Sequence, residues 1–478
     1  MALIPILAIV LALVSVLMIP AFIMALVLGE TTMIAAFLIP LGLGALLGLS
    51  AAIFYRKNRI SFRARDGFLL VFLVWVFTTL LGSLCYHFAP VNMNWVDAIF
   101  ESACGFATTG ATTISDIEIL PRSLLFWRSI SHWAGGMGII LLSVALVPLL
   151  GIGGFQLIKA ETPGPEKEKI MPRITEAAKV LWLAYCIFTV ILIFLYSLGG
   201  MEWFDALCHA LTVISTGGVS VRNEGFAYYD SPFIDWVTVI FMLLGAMNFS
   251  MYYRIARGKI RELLNNTETS AFLLIFLVSS LIITINLVPA YGSFGQALRF
   301  GSFQAASILS TCGNTRVDYS AWPALAQSIL FCLMLIGGCS GSTGGGIKVI
   351  RHVVLFKQAG NELRRLLYPR GVFSIQLNRR VGRKDVVYGV AGFVFLYFMI
   401  VALTTLVTAA AGSDIYSSFS IAISVTGNIG AGFGTGGPFR NYSAFPHHLK
   451  LFYSLVMISG RLELWTVFVL FTPEYWKG

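Results

Sequence analysis

Charged side chains are scarce in this 478-residue chain, since Asp, Glu, Lys and Arg together make up only 12% of its residues. A soluble globular domain carries about a quarter charged residues. Apolar residues make up 57% of the chain, and its mean hydropathy is +0.81. Too little polar surface is therefore available to face water. This shortage excludes a soluble fold, and we expect the lipid bilayer to be the solvent of the protein.

Disulfide and zinc-site patterns are also lacking. No CxxC pair and no Cys/His ligand spacing occurs among the seven cysteines. Almost all of them lie in apolar stretches, where cysteine behaves as a small buried hydrophobe. They are Cys85, Cys104, Cys186, Cys208, Cys312, Cys332 and Cys339. We expect free cysteines and no covalently bound cofactor.

The basic residues are unevenly distributed along a chain whose formal net charge is +10. Most Lys and Arg lie in segments that face the cytoplasm if the N-terminus does, namely 56–65, 159–179, 254–261, 348–384 and 477. The outer segments hold acids such as Asp97, Glu101 and Asp205. This asymmetry predicts that both termini are cytoplasmic. No aromatic-flanked basic stripe is present, so we expect no nucleic-acid binding.

Ten stretches are long and apolar enough to cross a bilayer, which takes about 20 such residues. They are 3–27, 33–55, 67–88, 123–148, 178–199, 233–253, 269–290, 325–356, 387–410 and 448–471. The first lacks the basic region of a signal peptide, so we expect a retained helix. Because no alternating barrel pattern occurs, the predicted class is an all-α integral membrane protein.

Four outer connections contain the same sequence of parts. Each begins with a short, partly apolar helix and continues into TTGAT at 108–112, TGGVS at 216–220, TCGNT at 311–315 or NIGAG at 428–432. Alignment puts one glycine of each loop in register, roughly 100 residues apart, as in an internal repeat. We predict four tandem helix–pore-loop–helix repeats in a pseudo-fourfold arrangement, plus two extra N-terminal transmembrane helices. The predicted boundaries are 1–60 for the extra helices, 61–155, 177–262, 263–358 and 385–478 for the repeats, and 156–176 and 359–384 for cytoplasmic linkers.

The glycine-centred loops have the chemistry of a cation filter. A dehydrated cation needs inward-facing oxygens, and main-chain carbonyls are their densest source. Glycine permits positive φ, so that successive carbonyls can turn to one side. A single loop of this kind is a common turn, but four in register predict a pore for a monovalent cation, with K+ as the ion in the filter. The predicted filter residues are Thr108, Thr109, Gly110, Thr216, Gly217, Gly218, Thr311, Cys312, Gly313, Asn428, Ile429 and Gly430.

The stretch at 325–356 is too long for a simple span and contains a run of glycines. Each glycine weakens a helix by about 1 kcal/mol relative to alanine. We therefore expect the helix to break and leave a flexible, non-helical segment facing the pore, where it would act as a gate. The predicted gate residues are Gly341, Ser342, Thr343, Gly344, Gly345, Gly346, Lys348 and Arg461.

Arg461 lies deep in the last predicted span, roughly 20 Å below its outer end. A charge at that depth costs at least ~2.5 kcal/mol and usually has a functional role. Two roles are open from the sequence. Arg461 either hydrogen-bonds to carbonyls freed by the glycine break, which we favour, or pairs with Glu463 as an anchor at the inner interface.

Four further motifs carry a family resemblance. They are FWRSISHWAGGMG at 126–138, AETPGP at 160–165 with Pro172 and Arg173, GGCSGSTGGGIK at 337–348 and SGRLE at 459–463. Together with the loops, they resemble the Trk/Ktr/HKT superfamily of cation transporters, most closely its TrkH branch. The resemblance implies potassium uptake across the inner (plasma) membrane by a homodimer with one pore per subunit. It also implies a cytoplasmic nucleotide-binding regulatory subunit of the TrkA type, and a preference for potassium, because all four filter positions are glycine.

Two loops depart from the pattern of that superfamily. The third has Asn314 after its glycine, where an aromatic residue is usual, and the fourth has Ala431, where many members have proline. Arg316 closely follows the third loop. We expect its charge to lie near the outer mouth and to repel cations.

Other functions fit parts of the same pattern. A sodium- or proton-coupled symporter, or a less selective sodium or ammonium conductor, would use similar loops. An intramembrane enzyme is not expected, because His132 and His209 are isolated and His447 and His448 lie at an outer helix end. The basic segments 254–263 and 357–384 either dock the regulatory subunit or fix the topology, and the sequence does not separate these two roles.

Overall fold

A computed structural model of the protein describes residues 3–57, 64–91, 93–149, 174–258, 261–262, 265–378, 380–381 and 384–477. Most of the linker predicted at 156–176, and the motif at 160–165, lie outside these residues. The regular secondary structure of the described part is almost entirely helical, which confirms the all-α class. Its one sheet is a two-residue antiparallel pairing of β1 (Gln376–Leu377) with β2 (Arg380–Val381).

The two extra N-terminal spans pack against the first repeat. One comprises α1 (Leu3–Val16) and α2 (Ile19–Val27), and the other is α3 (Thr31–Lys57). Between them, the Glu30 carboxylate accepts hydrogen bonds from the main-chain N–H groups of Arg122 (2.8 Å) and Ser123 (3.2 Å). These two N–H groups lie in the first turn of a helix, where N–H groups have no partner within the helix. Glu30 thereby fixes the extra pair to the inner helix of the first repeat.

Each repeat runs from an outer helix through a pore helix to an inner helix. Repeat 1 has α4 (Ala64–His87), α5 (Trp95–Ala107) and α6 (Arg122–Leu149). Repeat 2 has α7 (Ile174–Leu198), α8 (Trp203–Ile214), α9 (Pro232–Ala246) and α10 (Phe249–Ala256). Repeat 3 has α11 (Thr267–Tyr291), α12 (Phe294–Leu309), α13 (Ala324–Met334) and α14 (Val349–Leu367). Repeat 4 has α15 (Lys384–Ala410), α16 (Ile415–Gly427), α17 (His447–Arg461) and α18 (Leu464–Phe468), with α19 (Pro473–Lys477) behind it.

The pore helices of repeats 1 and 4 begin at side-chain caps. Asn94 accepts a hydrogen bond from the N–H of Asp97, and Asp414 accepts one from the N–H of Ser417, both at 2.9 Å. The hydrogen bonds that Ser417 donates to the ionised carboxylate hold the pKa of Asp414 below its usual range. From these caps the two helices run inward, and most of their residues are buried.

Three inner spans are interrupted, and one of these breaks was predicted. In repeat 3, α13 ends at Met334 and α14 begins at Val349, so the glycine-rich segment between them is not α-helical. In repeat 2, α9 and α10 meet at 99°, and in repeat 4, α17 and α18 meet at 113°. We had expected the stretches at 233–253 and 448–471 to be simple spans. Apolar composition indicates the length of a span but not its direction. The bends occur at Asn248, which caps a new helix, and at Glu463, whose φ is 54°.

Membrane-crossing helices account for most of the predicted spans. Within the described residues, six helices are long and apolar enough to cross a bilayer, and the two bent pairs bring this number to eight. The remaining two predicted spans correspond to α6 and to α13 with α14. The pore helices are shorter and lie between these spans, which leaves their C-terminal ends inside the protein.

Candidate ion filter and gate

All four pore helices end in the same way. The first loop residue is left-handed in each repeat, with φ of 54° at Thr108, 54° at Thr216, 59° at Thr311 and 54° at Asn428. The next N–H group donates back to a carbonyl in the last helical turns, from Thr109 to Cys104 (3.0 Å), Gly217 to Thr212 (2.7 Å), Cys312 to Ser307 (2.9 Å) and Ile429 to Ser424 (2.9 Å). This hydrogen bond is typical of a Schellman cap. Four segments of different sequence therefore leave their helices along the same path.

The register glycines join the four loops into a closed ring. Their φ values are positive, at 83° for Gly110, 70° for Gly218, 77° for Gly313 and 87° for Gly430. Each packs against a carbonyl of the next loop, Gly110 on Gly217, Gly218 on Cys312, Gly313 on Ile429 and Gly430 on Thr109. A Cβ added at Gly110 would lie 2.6 Å from the Gly217 oxygen, and at the other three positions it would overlap the facing oxygen. Because the fourth contact returns to the first loop, the loops surround one centre.

The main-chain oxygens of these loops have no hydrogen-bond partner in the part of the chain that the structure describes. Within the described residues, no hydrogen bond reaches the carbonyls of 108–110, 216–218, 311–313 or 428–430. Buried carbonyls without a partner are rare in proteins because each costs free energy. The same residues include no group of three or more His, Cys, Asp or Glu side chains that could hold a metal ion. The loop carbonyls are therefore the candidate cation ligands, and the structure brings all twelve predicted filter residues together.

Pore-helix side chains support three of the loops from behind, a feature that the sequence analysis missed. Cys104 donates to the Ala111 carbonyl (2.7 Å), Thr212 to Val219 (2.9 Å) and Ser307 to Asn314 (2.7 Å). The main-chain carbonyl of each of these three residues also accepts the hydrogen bond of the Schellman cap. Ser424 is the equivalent in repeat 4, but its buried hydroxyl has no partner among the described residues. The fourth loop, which contains Ala431, is therefore held differently from the others.

A buried ion pair connects the loops of repeats 1 and 2. Glu101 on α5 accepts hydrogen bonds from the Thr112 hydroxyl (2.7 Å), at the end of the first loop, and from the Thr113 N–H (2.5 Å). Arg128 on α6 pairs with Glu101 (3.3 Å) and donates to the Ser220 carbonyl of the second loop (3.3 Å). Both charged side chains are almost fully buried. The sequence signal for this pair was an arginine inside the apolar motif at 126–138.

Arg316 does not present an unpaired charge to the outer mouth. Its guanidinium is buried and pairs with Asp235 (3.0 Å) and Asp230 (2.6 Å). Arg299 shares the same two carboxylates. The expectation that Arg316 repels cations assumed that its charge was free. The two aspartates, which come from repeat 2, balance the two arginines of repeat 3.

The glycine-rich segment at 341–347, which we call the gate loop, lies directly against the inner end of the ring. The Thr343 hydroxyl donates to the carbonyls of Ile214 (3.1 Å) and Gly245 (2.9 Å) in repeat 2. The Gly345 N–H donates to the Thr311 hydroxyl oxygen (2.6 Å). These hydrogen bonds join the non-helical segment to repeat 2 and to the first filter residue of repeat 3.

Lys348 stabilises the fold of the gate loop. Its ammonium group is buried and donates to the Gly344 carbonyl (2.6 Å) and the Cys339 carbonyl (3.4 Å). The backbone of Lys348 has φ of 70°, so the chain turns sharply there before α14 begins. Within the gate loop, Gly341 and Gly346 also have positive φ. A loop with ordinary side chains at these positions would be strained.

Arg461 joins the gate loop to the inner helix of repeat 1. It donates to the Thr343 carbonyl (2.5 Å) and to the carbonyls of Gly135 (2.7 Å) and Gly136 (2.6 Å). Glu463 pairs instead with Arg351 on α14. Of the two roles considered for Arg461, this geometry matches hydrogen bonding to carbonyls at the glycine break.

Residues 43–477 match the TrkH family, described as cation transport proteins. The chain is 37% identical over 427 residues to the Trk system potassium uptake protein TrkH of Escherichia coli (strain K12), covering 88% of each chain. It is 37% identical over 436 residues to TrkH of Halomonas elongata, covering 90% of each. The crystal structure of the potassium transporter TrkH from Vibrio parahaemolyticus superimposes with a TM-score of 0.88 at 34% identity, covering 100% of this chain and 99% of the other.

Proposed function

This chain belongs to the TrkH family of cation transport proteins, and from that premise we propose that it takes up potassium through the ring of four glycine-centred loops. It is a multi-pass membrane transporter and not an enzyme. Relatives that share more than a third of its residues are named potassium uptake proteins of the Trk system. These names support potassium as the transported ion.

One observation carries the proposed filter, namely that each register glycine packs on a carbonyl of the next loop until the ring closes. The main-chain oxygens of the same loops accept no hydrogen bond from the described residues. A potassium ion that has lost its water needs several oxygens at once, and such a ring can provide them. The pore helices add the partial negative charge of their C-terminal ends.

A variant of one ring glycine tests the filter. In Gly110→Ser, the new side chain would push against the Gly217 carbonyl, 2.6 Å from the added Cβ. Gly200→Ser is a matched control, because Gly200 also has positive φ (93°) but has no atom near its Cβ position. We expect rubidium uptake by potassium-starved cells to fall about ten-fold or more in Gly110→Ser, since a distortion of ~1.4 kcal/mol has that effect. Equal uptake by the two variants would contradict the filter.

The second part of the proposal is that the gate loop and Arg461 form a barrier beneath the filter, which a cytoplasmic partner opens. The loop contacts the underside of the ring, and three carbonyls from two repeats converge on the Arg461 guanidinium. Hydrogen bonds from a charged donor contribute about 1.5–3 kcal/mol each. These contacts would favour the closed position until the partner displaces the loop.

Rubidium flux into liposomes without any partner protein tests the gate. We expect Arg461→Ala to raise this flux at least about ten-fold, because the loop loses its charged anchor. Arg461→Lys should raise it less, since an ammonium group can still donate to part of the carbonyl set. Arg364→Ala, at an exposed position on α14, is the control. Flux in Arg461→Ala equal to that of the control would reject the gate.

The Trk system named in the relatives implies a transporter that works with other components. We propose that this chain is a homodimer with one pore per subunit and that a nucleotide-binding subunit of the TrkA type regulates it. We place it in the inner (plasma) membrane with both termini cytoplasmic, because most Lys and Arg residues lie in the segments on that side. Cross-linking in native membranes tests the dimer, and labelling of cysteines introduced near each terminus tests the orientation.

A further inference from the structure

Within the described residues, the hydrogen bond between the gate loop and the filter is made to one side chain. The Gly345 N–H donates to the Thr311 hydroxyl oxygen at 2.6 Å. Thr311 is the first filter residue of repeat 3 and is fully buried. A Cβ added to Gly345 would overlap the Gly427 carbonyl of repeat 4. The gate loop therefore touches the filter directly, and no room for an ion remains between Gly345 and the base of these two loops.

The equivalent side chains of repeats 2 and 4 have different partners. The Thr216 hydroxyl donates to the Ser215 carbonyl (2.7 Å), within its own repeat. The Asn428 amide donates to the Thr109 hydroxyl (2.9 Å) and to the Met457 carbonyl (3.0 Å). Among the described residues, Thr311 is the member of this set that accepts a hydrogen bond from the gate loop. The contact thus breaks the fourfold symmetry of the ring at one position.

A hydroxyl oxygen that accepts an N–H bond is a poor cation ligand. It has two lone pairs, and the donor hydrogen, which carries partial positive charge, occupies one of them. A cation that approaches the same oxygen meets that positive hydrogen at close range. Ion coordination at the Thr311 oxygen and the bond from Gly345 therefore oppose each other.

We propose that the Thr311 hydroxyl couples the gate to the filter, so that a potassium ion at the inner end of the filter and the closed gate loop exclude one another. The inference rests on the proposed function and adds to it an effect of the bound ion on the gate. An ion bound at Thr311 weakens the closed position of the loop, and release of the loop strengthens ion binding there. Linkage requires these two effects to be equal in size. Potassium thereby promotes the opening of its own gate.

Hydrogen–deuterium exchange of the 341–347 amides measures the position of the loop. The full-length protein in lipid nanodiscs is compared in potassium chloride and in the chloride of N-methyl-D-glucamine, a cation too large for the ring. We expect potassium to speed exchange in the wild type. Thr311→Val has nearly the same shape but lacks the acceptor, so the loop loses a bond whose loss leaves a buried N–H unpaired. Its exchange should rise about 5- to 150-fold without potassium, and potassium should add little.

Two variants act as controls for this experiment. Thr311→Ser keeps the hydroxyl and should restore slow exchange in N-methyl-D-glucamine. Thr216→Val removes the equivalent hydroxyl of repeat 2, which makes no bond to the gate loop, and should also exchange slowly in that salt. Fast exchange in both valine variants would overturn the proposal, because it would reflect general loosening of the filter.

Failure of the inference is distinguishable from failure of the proposed function. Rubidium uptake into liposomes that contain the Arg461→Ala variant, whose gate is open, reports on the proposed function without the coupling. If uptake occurs but wild-type exchange is the same in both salts, the coupling is wrong and the transporter assignment stands. This wild-type comparison also decides the question if Thr311→Val fails to fold. If no uptake occurs, the proposed function itself fails.

Discussion

Arg351 on α14 and Glu463 at the bend between α17 and α18 form a buried ion pair. The Arg351 guanidinium also lies 3.6 Å from the centroid of the Phe393 ring and donates to the Ile347 carbonyl (3.1 Å). Glu463 is close in sequence to Arg461, which binds the gate loop through Thr343. The bend of repeat 4 is therefore linked to the gate loop directly at Thr343 and, through Arg351, at Ile347.

Charge reversal tests the Arg351–Glu463 pair. Arg351→Glu and Glu463→Arg should each lower stability by roughly 3–5 kcal/mol, because each leaves a buried charge without its partner. Each should also raise rubidium flux without a partner protein. The double reversal should recover at least half of the lost stability, measured as the melting temperature of the purified protein in detergent. A double variant that loses as much as the two single variants together would show that the pair does not act as a unit.

Gly345 should be required for closure of the gate loop. A Cβ at this position would overlap the Gly427 carbonyl, so Gly345→Ala cannot lie flat beneath the ring. We expect at least about a ten-fold rise in partner-free rubidium flux, for a displacement that costs ~1.4 kcal/mol or more. Gly360→Ala, on α14 with open space around it, should leave the flux unchanged. Equal flux in the two alanine variants would count against a close contact between loop and filter.

Arg316 should contribute to stability and not to repulsion of cations. Its charge is balanced by Asp230 and Asp235, so Arg316→Gln should change the initial rate of rubidium uptake by less than about two-fold, as expected for a neutralised charge. The melting temperature should fall, because Asp235 then keeps only Arg299. Uptake is measured at low and high ionic strength. A large gain in uptake at low ionic strength alone would indicate a free charge at the mouth.

Glu101 should be needed to hold the first two loops together. In Glu101→Gln, Arg128 keeps its buried position but loses its counter-charge, which costs roughly 3–5 kcal/mol. Glu118→Gln, at a more exposed position of the outer segment, is the control. Melting temperatures of the two variants in detergent provide the measurement. A similar small shift in both would show that the Glu101–Arg128 pair is not important for the fold.

The repeat and its loops were predictable because glycine has a specific physical role in them. Positive φ and close approach to a carbonyl restrict positions such as Gly218 and Gly430 to glycine, and four such positions in register are visible in the sequence. The break in the third inner span was predictable for a related reason, since a run of glycines disfavours a helix. The assignment to the TrkH family is confirmed by the match over residues 43–477.

The bends and the ion pairs were not predictable in the same way. The sharp turn at Glu463 is in a span whose apolar composition continues through it, and its acid pairs with Arg351 from another repeat. The neutralisation of Arg316 depends on aspartates that lie far away in the sequence. Pairing across repeats depends on the packing of helices, which no local pattern encodes. The contact between Gly345 and Thr311 is hidden for the same reason.

The central claim is that all four loops are needed to form one ring of carbonyl ligands. The most direct test is the reversal potential of liposomes under opposed potassium and sodium gradients, recorded for serine variants of Gly110, Gly218, Gly313 and Gly430 in the Arg461→Ala background. We predict a potassium-selective potential in the background protein and a loss of selectivity, or of current, in every one of the four variants. Unchanged potassium selectivity in any of them would contradict the account.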